Sequence, residues 1–140
     1  MADYHLEGIK LESFLGPLEA RLLETLWTSN KRPVTVREIH QLMTKDSKIA
    51  YTTVMTTMNR LHEKGFLNRK IKKGKGGLYY AYWPKMEKEA FEQHEIKAVL
   101  ESLIGNFGEK VTSCFVERMS ADKNSLEMLR KQLEKVEEND

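Results

Sequence analysis

Short hydrogen-bonding side chains and cations are concentrated between Lys48 and Lys75, at spacings suited to recognising a polyanion. In a helix starting near Ala50, Val54, Met58 and Leu61 recur at helical spacing and define one buried stripe. Thr52, Thr53, Thr56, Asn59 and Arg60 then fall on the side away from it. Threonine is β-branched and a mediocre helix former, so a face selected for helix stability would carry Lys/Glu pairs instead. Thr and Asn reach base edges without bulk, and Arg60 can fork onto guanine or phosphate. Met55 reads as helix packing, like Met43 and Met58, yet it borders the reading face within reach of a thymine methyl. Lys48 precedes the helix, and Arg69, Lys70, Lys72, Lys73 and Lys75 follow it; phosphate binding is the chemistry these cations fit.

The flanking elements must hold that face and those cations in place. The helix is expected to stop at Gly65, suited to the left-handed position after a C-terminus, with Lys64 in the last turn. Two alternating strands follow, roughly 67–72 and 78–83, joined by Lys73-Gly74-Lys75-Gly76-Gly77. Alternation puts Tyr80 and Tyr82 on one face and Tyr79, Ala81 and Trp83 on the other, so some of these rings belong to the core. Upstream, Pro17 opens a helix to about Thr28, with Leu18, Leu22, Leu26 and Trp27 inward. Thr35 and Glu38 form a capping box that opens a second helix through about Thr44, with Val36, Ile39, Leu42 and Met43 inward. Val34 adds a very short strand beside the hairpin. Three helices and a hairpin make the winged form of helix-turn-helix, a mainly α fold with a small β-wing whose last helix enters the major groove.

Charge divides the chain in the same way. Residues 1–84 hold 14 Lys/Arg against 8 Asp/Glu, net +6, while residues 85–140 hold 9 against 13, net −4. The basic half carries the threonine helix and the wing, which points to a polyanionic partner. The expected organisation is an extension at 1–14, a winged-helix DNA-binding domain at 15–84 and a helical dimerisation domain at 85–140. In that last domain one helix runs to about Ile104, Gly105-Asn106-Phe107-Gly108 breaks the chain, and two more amphipathic helices follow. Three short helices bury little core alone, so Leu100, Leu103, Phe115, Met119, Leu129 and Leu133 are expected to pair two copies.

The segments LGPLEARLLETLW, PVTVREIHQLM, AYTTVMTTMNRL with the following EKG, and YYAYWP resemble the penicillinase-repressor family, which includes antibiotic-resistance regulators and copper repressors. The similarity continues more weakly through FVERMSADKNSLEMLRKQLEK and covers nearly everything except residues 1–14. It implies a homodimeric winged-helix repressor on a palindromic double-stranded operator, with Thr52, Thr53, Thr56 and Arg60 as base-reading residues. In the antibiotic-sensing branch, it further implies relief of repression through cleavage at an Asn-Phe bond in the dimer region. Aligning on FVER puts Cys114-Phe115 at that place; the chain's own Asn106-Phe107 lies several residues earlier, in the expected turn, open there to a regulatory protease. The copper branch carries cysteine ligands near its C-terminus, whereas this chain ends EKVEEND, which argues against a copper thiolate switch.

Other classes find little support. The single cysteine, Cys114, excludes an intrachain disulfide and any multi-cysteine zinc site, and His5, His40, His62 and His94 have no ligand spacing. No metal and no cofactor are expected. The lysine-glycine run sits at a hairpin tip, not at a strand-to-helix junction, so it is no phosphate loop of an enzyme. No membrane span is expected, and the location read from the sequence is cytoplasmic. A reading from a different class is a winged-helix module that docks a protein through Tyr79, Tyr80 and Tyr82; the lysine cluster argues against it.

Overall fold

A computed structural model describes residues 15–45 and 47–139. The expected extension at 1–14 lies outside these residues. The elements run α1 (Pro17–Thr28), β1 (Val34–Thr35), α2 (Val36–Met43), α3 (Tyr51–Glu63), β2 (Leu67–Gly74), β3 (Gly77–Pro84), α4 (Lys88–Phe107), α5 (Glu109–Met119) and α6 (Lys123–Glu138). They form two compact units, the first ending at Glu95 and the second beginning at Ile96.

The first unit is a winged helix. Its antiparallel sheet has the order β1-β3-β2, with Val34 opposite Tyr82 and Leu67 opposite Pro84. Local chemistry starts and stops its helices. Pro17 stands at the start of α1, where its missing N–H costs nothing, and the Gly16 N–H donates to Glu19 Oε1 at 3.1 Å. At α2, Thr35 Oγ1 accepts from the Glu38 N–H at 3.2 Å and Glu38 Oε1 accepts from the Thr35 N–H at 3.0 Å, closing the expected capping box. Gly65 takes φ 84° just past α3. Leu22, Leu26, Ile39, Val54, Met58 and Leu61 meet in one core, which the sheet closes with Val34, Leu67 and Tyr82. Leu42, expected inward, is exposed: it lies off the Ile39–Met43 stripe that α2 buries.

Both hairpin strands are longer than expected. β2 continues to Gly74 and β3 starts at Gly77, so only Lys75 and Gly76 form the turn. Gly74 closes the ladder opposite Gly77, and a Cβ placed on it would lie 2.9 Å from Tyr79 Cε1, so a larger residue there would displace the Tyr79 ring.

The winged unit also extends beyond Pro84, because the start of α4 belongs to its core. Phe91 is buried with ring centroids 5.4 Å from Trp27 and 5.0 Å from Phe66, and Trp27 Nε1 donates to the Met86 carbonyl at 2.8 Å. Arg32 Nη2 donates to Glu87 Oε1 at 2.9 Å, holding the same junction from outside.

In the second unit, α4 does not break at Gly105. It runs to Phe107 and ends where Gly108 takes φ 61°. Asn106-Phe107 therefore lies in the last helical turn, with Asn106 Nδ2 donating to the Ser102 carbonyl at 2.8 Å, and not in the turn expected from the sequence. α6 opens on Asp122, whose Oδ1 accepts from the Ser125 N–H at 2.7 Å. Neither α5 nor α6 has a buried residue.

Candidate nucleic-acid interface

α3 carries two chemically different edges on either side of its exposed face. The α1 side is lined by Thr52, Thr53, Thr56, Thr57 and Arg60, which share a cleft with Gly16, Pro17 and Glu19. On the wing side, Tyr51 and Met55 share another cleft with Leu78, Tyr79 and Tyr80. Thr52, Thr53 and Thr56 are exposed.

The hydroxyls on this face are unspent. Thr25, Thr28 and Thr57 each donate to the carbonyl four residues back, the usual resting place of a helical threonine. Among the described residues, Thr52, Thr53 and Thr56 make no side-chain hydrogen bond within the chain. An oxygen that neither caps nor back-bonds is free to meet a ligand. Arg60 is exposed beside them, and Lys48 is exposed just before the helix.

Asn59 and Arg69, both expected to contact DNA, are joined to each other. Arg69 Nη1 donates to Asn59 Oδ1 at 2.8 Å, Asn59 Nδ2 donates to Glu63 Oε1 at 3.1 Å, and the Arg69 guanidinium lies 3.9 Å from the centre of the Tyr80 ring. The chain Glu63–Asn59–Arg69–Tyr80 straps the first strand of the wing to the exposed face of α3.

The hairpin register separates the wing cations. Arg69 and Lys73 pair with Tyr82 and Leu78, so they share the face of Tyr80, whereas Lys70 and Lys72 pair with Ala81 and Tyr79 on the other. Lys75 is at the tip. The five residues therefore do not form one cluster; they edge a hairpin on both faces. Of the rings, Tyr82 is buried, while Tyr79 and Tyr80 are exposed.

Two charged features escaped the sequence reading. Arg37 lies exposed in the first turn of α2 and lines the wing-side cleft. A cation there opposes the helix dipole, and that unfavourable placement was the available signal. Glu19 is buried under the α1-side edge, with Lys64 Nζ 2.9 Å from Oε1. Burial pushes the Glu19 carboxyl up, but the Lys64 bond, the Gly16 N–H and the charges of Lys64 and Arg60 outweigh it and hold the carboxyl below its ordinary value.

A family model described as penicillinase repressor matches residues 15–135. The chain belongs to the penicillinase repressor family. Proteins of this family are transcriptional regulators, not enzymes. Two curated relatives, each called transcriptional regulator BlaI, come from Mycobacterium tuberculosis strains CDC 1551 / Oshkosh and ATCC 25618 / H37Rv. Each is 42% identical over 53 residues, and the match spans 38% of this chain and 38% of the relative. Among solved structures, Stf76 from the Sulfolobus islandicus plasmid-virus pSSVx is similar at 23% identity, with TM-score 0.36, over 52% of this chain and 92% of that one.

Elsewhere on the chain, the expected pairing residues Leu100, Leu103, Phe115 and Leu133 are exposed, and Met119 and Leu129 are half-buried. Among the described residues no group of His, Cys, Asp and Glu could hold a metal ion, and no helix is long and apolar enough to cross a membrane.

Proposed function

We propose that this penicillinase repressor binds a palindromic DNA operator as a homodimer and represses by occupying a promoter. The unspent hydroxyls of Thr52, Thr53 and Thr56 beside Arg60 carry the reading: α3 enters the major groove and these side chains, with Arg60, read base edges. Lys48, Lys70, Lys72, Lys73 and Lys75 hold the adjoining phosphates. Asn59 and Arg69 hold the wing against the reading helix.

Pairing through the second unit follows from its surface. Phe115 is 49% exposed and Leu133 52%, and α5 and α6 bury nothing in a single chain. A second copy covers such faces at low cost, and two-fold symmetry then presents two α3 helices to two half-sites. Binding to a palindrome is steep in protein concentration, so an event that weakens the second unit, an antibiotic or stress signal included, relieves repression. Cleavage at Asn106-Phe107 by a regulatory protease would require the end of α4 to unwind first, because a protease takes an extended substrate.

The test is selection of bound duplexes from a random pool at two salt concentrations, with sedimentation of the free protein. A two-fold symmetric motif at both salts and a sedimenting dimer are expected. Binding without a motif that vanishes at the higher salt is phosphate attraction alone, and would overturn the reading in favour of protein docking through the wing.

A further inference from the structure

The wing-side edge of α3 presents a chemistry that hydroxyl and arginine contacts do not explain. Tyr51 and Met55 are one helical turn apart, 44% and 45% exposed, on a helix that buries Val54, Met58 and Leu61 completely. Asn59, next along the same edge, has both ends of its amide bonded to Arg69 and Glu63. The outward side of this edge is therefore apolar where the α1 side is polar.

Cations surround this apolar edge: Lys48 precedes the helix, Arg37 stands across the cleft on α2, and Lys75 is at the wing tip. An apolar side chain ringed by positive charge complements a surface that is negative at its rim and apolar at its centre. The major groove of DNA is such a surface, with phosphates along its edges and the C5-methyl of thymine as its apolar feature. We propose that Met55, flanked by Tyr51, is a specificity-determining residue that packs on a thymine methyl in each operator half-site. Its unbranched thioether has the length and adaptability to follow a methyl whose position shifts with local groove geometry. This assignment rests on the proposed entry of α3 into the major groove. It adds a preference for T·A beyond what the threonine hydroxyls and Arg60 supply, because those groups address hydrogen-bonding edges; the other groups on this face able to meet a thymine methyl are the threonine methyls, which the Met55→Ala comparison separates from Met55.

The test replaces thymine by deoxyuridine, which removes only the methyl, one position at a time in the selected operator duplex. Wild-type protein is expected to lose about three- to fourfold in affinity at one position per half-site, the effect of exposing one methyl-sized group. Met55→Ala is expected to bind the thymine and uracil duplexes equally, while Met55→Leu retains the difference. Because Met55 lies outside the buried core, all three proteins should unfold at nearly the same urea concentration, which separates recognition from stability. Sequence-specific binding with no uracil penalty anywhere, or a penalty unchanged in Met55→Ala, overturns the assignment and leaves the repressor reading standing. Absence of any sequence-specific binding overturns both.

Discussion

Arg69 in the first strand of the wing donates to Asn59 on α3 at 2.8 Å, so the hairpin and α3 are tied at a point outside the core. The same guanidinium lies over Tyr80 of the neighbouring strand, and a planar cation held on two sides has little freedom to swing. A wing fixed this way can place its lysines without first being ordered by the ligand, which lowers the cost of binding.

Replacing Arg69 by methionine removes the bond and the stacked charge while keeping much of the bulk. Stability should fall by about 1–2 kcal/mol, as for a charge-assisted hydrogen bond near a surface. Combined with Asn59→Ala in a urea-denaturation cycle, the coupling should be about 1 kcal/mol. Additive losses would show that the contact contributes nothing.

The lysines and Arg60 should differ in what they do to binding. Lys73→Ala and Lys75→Ala should weaken all duplexes alike, each lowering the slope of log K against log salt by about 0.9 per half-site, about 1.8 for the paired copies. Arg60→Ala should cost about 1–3 kcal/mol on the selected site and relax the preference at one base pair. If Arg60→Ala bound that site like wild type, its base-reading role would be wrong.

Two carboxylates make the winged unit sensitive to acid. The ion pair and hydrogen bond with Lys31 lower the Glu38 pKa, opposed by burial and aided by the Thr35 N–H and hydroxyl. Glu19 is lowered as well. A carboxyl depressed in the folded state stabilises fully above its ordinary pKa near 4.3 and loses that contribution as pH falls through the lower folded value. Urea midpoints should therefore hold between pH 7 and about 5 and drop below about pH 4. Glu38→Gln should start lower and show a shallower decline, since glutamine keeps the capping geometry but not the charge.

Phe91 should matter to the winged unit although it lies on a helix that continues into the second one. Phe91→Ala opens a cavity against Trp27 and Phe66 and should cost about 3 kcal/mol or more, read from urea unfolding followed by tryptophan fluorescence. A loss under about 1 kcal/mol would show that the aromatic cluster collapses around the gap.

Pairing of two copies is tested by charge on the second unit. Leu103→Glu and Phe115→Glu place a carboxylate on faces that a partner would dehydrate, and both chains should sediment as monomers at concentrations where wild type is dimeric. Both should keep the wild-type denaturation profile of the winged unit. Variants that remained dimeric would locate the pairing surface elsewhere.

α3 was legible because its signals are local. Val54, Met58 and Leu61 set the period, and the threonines stood out as residues a helix would not choose for its own stability. The Thr35–Glu38 box was legible for the same reason. Elsewhere the local signals placed element ends too early or could not register contacts between distant residues. Gly74 has the composition of a loop but closes the ladder opposite Gly77. Gly105 looked like a helix end but costs only about 1 kcal/mol inside one. The Asn59–Arg69 bond joins a helix to a strand, and the placement of Phe91 in the first core depends on Trp27 far upstream; neither has a signature in the spacing of residues.

α3 divides its residues cleanly between a buried stripe and an exposed face. Thr52, Thr53, Met55 and Thr56 lie outside the buried core, and Val54, Met58 and Leu61 are wholly within it. Substitutions on the exposed face can accumulate without crossing a folding threshold, so a duplicated copy of this scaffold can acquire a new target sequence in single steps, each intermediate remaining a folded protein.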